Sequence, residues 1–245
     1  MNGLKAWASS FVATPHRPPR WVSVLFGLFV AVICASLLLI ALASSARAAG
    51  PGLQAEWPAA ATRYRADLTR QARLQWGLDA PVAAFAAQIH QESMWRRDAV
   101  SRVGAQGMAQ FMPATARWWC ELHRLSTDEC QPRNPTWALR ALVGYDRWLW
   151  DRIRNTADEC DRFAMTLSAY NGGLGWVRRD RALASSKGLD SSRYWGAVET
   201  VNAGRAAWAI KENRDYPRRI LLQHAPRYAA WGRTPCAPNT TGATP

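Results

Sequence analysis

The sequence predicts a mainly α-helical domain preceded by one apolar segment of membrane-crossing length. Three observations carry this. Apolar residues recur at three- and four-residue spacing in five segments between residues 59 and 170, no segment shows the two-residue alternation of a strand at comparable strength, and glycine, proline or polar breaks separate the segments. Roughly 185 residues lie between Gly50 and Thr234, enough to bury one core, with no internal repeat and no separate binding module.

Residues 1–20 carry Lys5, Arg17 and Arg20 and read as a basic cytoplasmic amino end. Trp21 to Ala43 is a run of 23 residues without a charge, long enough at about 1.5 Å per residue to cross a layer of about 30 Å. The basic flank predicts export of everything beyond Ala43 to the periplasmic side of an inner membrane. Ala46-Arg47-Ala48 reads as a cleavage site that would release a mature chain starting at Ala49. The apolar run nevertheless exceeds the roughly 7 to 15 residues of an ordinary signal core, so anchoring and cleavage are both open.

Helices are expected over 59–76, 80–93, 113–124, 135–155 and 161–170. The second has Asp79 as its cap and Pro81 in its first turn. The fourth opens on Asn134-Pro135 and buries a stripe of Leu139, Leu142, Val143, Tyr145 and Leu149. One folded helical domain is thus expected over 50–234, with 235–245 a flexible tail of proline, threonine and glycine.

The net charge is +13, and residues 1–48 hold four basic residues and no acid, leaving +9 on a mature chain. That balance suits an anionic polymer. Nucleic acid is excluded as a partner because Arg and Lys are scattered, no nucleic-acid motif is present, and the export signal leads away from DNA. Cys34 lies inside the apolar run, leaving Cys120, Cys130, Cys160 and Cys236 as an even set suited to two disulfides in an oxidising compartment. Three pairings can be drawn; Cys120–Cys130 with Cys160–Cys236 is the expected one. No Cys-x-x-Cys or ligand-like histidine spacing occurs, so neither a metal nor a cofactor is expected. Most of the 14 tryptophans are expected in the core, although Trp95, Trp118, Trp119 and Trp176 fall near the motifs below and have faces suited to sugar rings.

The chemistry starts at Glu92. Val82, Phe85, Ala86 and Ile89 form a helical stripe, and Glu92 follows at its edge, where a core meets a cleft. Partial desolvation there favours the neutral acid, the state in which a carboxyl group can protonate a glycosidic oxygen near neutral pH. Asp98, six residues on, is expected at the surface.

Four ordered blocks surround this residue: Glu92-Ser93 with Ser101; the glycine-rich run ending in Gln110-Phe111-Met112-Pro113-Ala114-Thr115-Ala116; Ala169-Tyr170-Asn171-Gly172-Gly173; and Glu212-Asn213-Arg214-Asp215-Tyr216. Together they resemble the lysozyme-like catalytic domain of family 1 lytic transglycosylases, of the soluble lytic transglycosylase type. The fourth departs from the family's Glu-Thr-Arg-x-Tyr-Val at Asn213 and Pro217, and residues 200–211 depart in length or composition. The resemblance implies a goose-type lysozyme/transglycosylase helical domain behind an N-terminal hydrophobic helix.

It further implies Glu92 as the catalytic acid, with Ser101, Gln110, Met112, Tyr170, Asn171, Glu212 and Tyr216 binding substrate, and a Tyr170 hydroxyl hydrogen-bonded to the catalytic carboxyl group. From the residues themselves, Gly104 and Gly107 suit a loop lying against a sugar chain or a tight turn, Ser101 and Gln110 suit sugar contacts or local capping, and Met108 and Phe111 suit packing. The core blocks supply no second catalytic acid, whereas most glycoside hydrolases use two. The implied reaction cleaves the bond between N-acetylmuramic acid and N-acetylglucosamine in peptidoglycan glycan strands, leaving 1,6-anhydromuramoyl ends. Hydrolysis on the same fold, or glycan binding without catalysis, are the alternatives. The family's uses make envelope-spanning machinery a further partner, beside the membrane through residues 21–43 if uncleaved.

Overall fold

The computed structural model describes residues 57–236. Seven α-helices make up the domain: α1 Ala59–Trp76, α2 Val82–Ser93, α3 Pro113–Leu122, α4 Pro135–Arg152, α5 Glu159–Gly172, α6 Leu174–Ser186 and α7 Ala207–Arg218. A π-helical turn, Arg219–His224, and a 3-10 helix, Ala225–Trp231, follow. Among the described residues there is no strand, only isolated bridges Val100–Gln106 and Gln106–Phe111. The five expected helices are all present, with ends shifted by up to three residues.

Helix α2 is the axis of the core. Every residue from Val82 to His90 is buried, so this is a helix enclosed on all sides rather than an amphipathic one with a wet edge. Its alanines let neighbours approach closely: α1, the π turn and the 3-10 helix all pack on it. Trp76 of α1, Phe85 of α2, Trp150 of α4 and Phe163 of α5 meet with ring centroids 5.3–6.1 Å apart, the separation at which edge and tilted aromatic pairs add to burial. A second cluster joins Trp57, Trp95, Tyr228 and Trp231.

The caps differ from expectation. Pro81 itself is the N-cap of α2 and no side chain caps the helix; Asp79 is exposed, and its carbonyl instead accepts from Arg233 Nε at 2.7 Å. Asn134 caps α4, accepting from Trp137 N at 3.2 Å. Asp158 caps α5, accepting from Asp161 N at 2.8 Å, and moves the start of that helix two residues ahead of the apolar pattern. Helices α6 and α7 were not expected: α6 buries only Val177, Asp180 and Ala184, and α7 only Asn213, Tyr216 and Pro217, too narrow a stripe to stand out in sequence.

The disulfides are Cys120–Cys130 and Cys160–Cys236, the expected pairing, and the second ties the segment after the 3-10 helix to the first turn of α5. The expected anchor at 21–43 and the cleavage site lie outside the described residues, as do residues 237–245 of the expected tail. No described helix is long and apolar enough to cross a membrane.

Candidate active site

Glu92 occupies the last turn of α2, and the chain turns away from it at once. Met94 and Trp95 are both left-handed, with φ of 53° and 65°, a conformation costly for residues with a Cβ. Packing over-determines it. Trp95 is 1% exposed and its indole N–H donates to the Tyr228 hydroxyl at 2.8 Å, while Ser93 Oγ donates to the carbonyl of Met108 at 2.9 Å. The helix therefore stops one residue past Glu92, whose side chain reaches the floor of an open cleft of about 360 Å³.

Six segments line that cleft. Helix α2 contributes Gln91 and Glu92; the loop after it contributes Ser101, Val103, Gln110 and Met112; α3 contributes Thr115; α4 and α5 contribute Tyr145, Tyr170 and Asn171; α7 contributes Glu212 and Tyr216. All eight residues singled out in the sequence thus share one cavity. Gln91, Val103, Thr115 and Tyr145 were not assigned to the site; Thr115 lay within the second block and Tyr145 in the α4 stripe. Asp98 is exposed and outside the cleft.

The glycine-rich loop holds itself in shape. Ser101 Oγ accepts from Ala105 N at 2.9 Å, leaving its own proton free to donate. Gln110, left-handed at φ 49°, donates its side-chain amide to the carbonyls of Gly107 at 2.8 Å and Ala99 at 3.3 Å. Gly107 does not lie against the cleft: a Cβ there would come within 1.9 Å of the Pro132 carbonyl oxygen, so its close approach is to the chain before α4. Gly104 is a turn glycine at φ 85° with open space around it. Met108 and Phe111 are buried and Met112 is 41% exposed at the rim.

Glu92 is half-buried and lines the cleft, and burial pushes its carboxyl group up to about 8; the Tyr216 hydroxyl, which donates to Oε1, pulls the other way, and the Glu212 carboxylate adds to the rise. The group is therefore an acid at neutral pH. The hydrogen-bonding tyrosine is Tyr216, not Tyr170 as the resemblance implied. Tyr170 donates instead to the carbonyl of Ala109 at 2.7 Å, and its ring stacks on Tyr216 with centroids 6.5 Å apart and planes 6° off parallel. Burial, with the negative charge of Glu92 beside them, holds both phenols well above their ordinary range, so both remain donors.

A further acid lies beneath the floor. Asp146 of α4 has no exposure and meets Gln88, one turn before Glu92 on α2, whose amide donates at 3.4 Å. Oδ2 of Asp146 has no protein partner among the described residues. Burial, then the charge of Glu92, raises this carboxyl well above the ordinary range, against the Gln88 hydrogen bond.

Helix α7 is held by polar contacts. Asn213 Nδ2 donates to the Ser168 carbonyl at 2.8 Å and to Asn171 Oδ1 at 3.0 Å, and its Oδ1 accepts from Ser168 Oγ at 2.8 Å. Gly172 permits this approach, since a Cβ would sit 2.7 Å from Asn213 Nδ2. Arg214 donates to Asp180 of α6 at 2.7 Å and to the carbonyls of Val198, Glu199 and Val201, and Arg205 joins the same Asp180 carboxylate. Sequence reasoning missed Asp180, whose only signal is an acid in a basic helix.

The family model described as Transglycosylase SLT domain matches residues 67–192, which include the first three blocks and stop short of the fourth. The chain is 32% identical over 130 residues to a membrane-bound lytic murein transglycosylase F from Hahella chejuensis, covering 53% of this chain and 24% of that protein. It is 28% identical over 167 residues to a protein of the same name from Marinobacter nauticus, covering 66% of this chain and 30% of that one. The chain thus spans under a third of the length of these relatives. A solved structure of an inactive mutant of lytic transglycosylase Slt from Pseudomonas aeruginosa is similar in fold, with a TM-score of 0.50 and 23% identity over 70% of this chain and 25% of that one. A family match over more than half of its residues, on a helical fold with the motif residues gathered in one cleft, makes this chain a member of the Transglycosylase SLT domain family.

Proposed function

We propose that the protein is a peptidoglycan lytic transglycosylase in which Glu92 acts alone, first as acid and then as base. The observation that carries this is the Glu92 carboxyl group, pushed up to about 8 and held by Tyr216 at the floor of a cleft. At neutral pH Glu92 has a proton to give the glycosidic oxygen between N-acetylmuramic acid and N-acetylglucosamine. As that bond breaks, the 2-acetamido group assists at the anomeric carbon. The resulting carboxylate, stabilised by the Tyr216 hydroxyl, takes the proton of the C6 hydroxyl as its oxygen closes on that carbon. Glu92 ends protonated, no water is consumed, and the product carries a 1,6-anhydro end. Ser101, Gln110, Met112, Asn171 and Tyr170 would contact the glycan, with Glu212 at the same cleft.

The relatives' name, membrane-bound lytic murein transglycosylase F, and the apolar segment 21–43 support a periplasmic setting at the inner membrane. Peptidoglycan strands are then the partner, with envelope-spanning machinery a setting that the family's uses suggest. Hydrolysis is the second reading, favoured by one observation: the Glu212 carboxylate lines the same cavity and would serve to hold a water, as the second acid of a hydrolase does. Digestion of purified sacculi by the full chain in detergent, with mass spectrometry of the muropeptides, separates the two. Anhydro ends, lighter by one water and absent with Glu92→Gln, support the first reading; reducing ends support hydrolysis; no release by the wild-type chain overturns both.

A further inference from the structure

The Glu92 cleft does not end at Tyr216. Helix α7 and the turn after it present Trp208, Lys211, Glu212, Asp215, Tyr216 and Arg219 at the three- and four-residue intervals of a single helix face. These residues, closed over by Gln91, line a second concavity of about 410 Å³. Gln91, Glu212 and Tyr216 belong to both cavities, so the two form one groove. It runs from Glu92 toward the first turn of α7, and the eight residue steps from Tyr216 back to Trp208 add about 12 Å at 1.5 Å per residue.

Trp208 is 73% exposed, against 37% for Trp118. No described aromatic ring packs on it, and leaving most of its surface in water forfeits the burial such a ring ordinarily gains. The polar groups around it are balanced. Lys211 Nζ lies 2.6 Å from Asp215 Oδ2 and Arg219 lies 3.6 Å from the same oxygen, and Glu212 is the second anion. Two cations and two anions leave no net charge to draw an anionic group, yet they crowd donors and acceptors around a flat apolar face. A neutral sugar ring presents that combination, a C–H face for the indole and hydroxyl or acetamido groups for the edges.

We propose that this extension is a saccharide subsite, in which Trp208 stacks on a hexosamine ring of the strand and Gln91, Lys211 and Asp215 hydrogen-bond its substituents. The assignment rests on the reading of the Glu92 cleft as a glycan site. It makes Trp208 a determinant of the length of glycan the protein holds, separate from the residues that act on the bond.

The test uses the full chain in detergent carrying Glu92→Gln, titrated calorimetrically with β-1,4-linked N-acetylglucosamine oligomers of increasing length. Adding Trp208→Ala should weaken the longest oligomer at least about fivefold and leave the shortest unchanged, and Trp208→Phe should restore part of the loss. Trp208 is exposed, so neither variant threatens the fold. Equal affinities with and without Trp208 at every length overturn the subsite while leaving the cleft reading intact. A loss seen only with peptide-bearing glycan assigns the pocket to the stem peptide and overturns the saccharide. No binding of any oligomer or peptide-bearing glycan while Trp208 is intact overturns the cleft reading and the subsite with it.

Discussion

The two sides of the cleft are built by different physics. On the α2 side Glu92 is placed by apolar packing, on a helix whose residues from Val82 to His90 are all buried. On the α7 side Tyr216 and Glu212 are placed by a polar network, Asn213 on Ser168 and Asn171, and Arg214 with Arg205 on Asp180. Packing spreads its contribution over many contacts, so the position of Glu92 survives most single changes outside the core. An ion network concentrates its contribution in a few groups, and removing one strands the others. The acid and the tyrosine that tunes it are therefore separable by mutation.

The largest effect is expected at Glu92 itself. Glu92→Gln should lower the rate of sacculus digestion by roughly 10²–10⁴-fold, with no loss of thermal midpoint, because the substitution removes a group that burial already penalises. A midpoint that falls with the rate would mean that Glu92 supports the fold rather than the reaction. Next comes the α7 anchor. Asp180→Ala leaves the guanidinium groups of Arg205 and Arg214 without their buried anion and should cost about 3–5 kcal/mol in chemical denaturation; a cost near that of an exposed pair, under about 1 kcal/mol, would remove the distinction between the two sides.

Tyr216→Phe is subtler. The hydroxyl stabilises the carboxylate of Glu92, so its loss should raise the pKa from about 8, move the alkaline limb of the kcat/KM profile to higher pH, and slow turnover roughly tenfold, about the value of one hydrogen bond to a charged group. Tyr170→Phe should leave that limb in place, because its hydroxyl is committed to Ala109. The reverse pattern would show that the tyrosines exchange partners when glycan binds.

The smallest effect lies below the floor. Asp146 has its folded pKa raised above the unfolded value, so its contribution to stability is fully present below pH 4 and is lost as the pH rises toward the folded value. Asp146→Asn removes that dependence and should stabilise the chain more at pH 8 than at pH 4. Thermal midpoints at the two pH values measure the difference, and equal shifts would show that Asp146 is not held neutral.

Much of this was legible in the sequence wherever an apolar period or a glycine spacing existed. The five helices carry broad apolar stripes, the exported cysteines an even count, and Glu92 a place at a stripe edge; the other seven cleft residues came from the family resemblance of their blocks. The positions of α6 and α7 did not, because their buried faces are narrow and partly polar. The misassigned tyrosine has the same origin: Tyr170 and Tyr216 stack in parallel, and which hydroxyl reaches Glu92 depends on how α7 crosses α5, a contact made by Asn213 where the family has threonine. The glycine loop suited either a sugar-facing loop or a tight turn, and Gly107 is required instead by Pro132, twenty-five residues on.

The sequence by itself determined the helical class, the family resemblance and Glu92 as the residue to watch, since periodicity and local spacing are properties of neighbours along the chain. Only the tertiary structure decided which phenol holds the acid, which buried carboxyl lies beneath it, and where the groove extends. Each of those depends on burial and on contacts between residues dozens of positions apart, and desolvation, which sets the protonation of Glu92, belongs to the packed domain and to no segment of it.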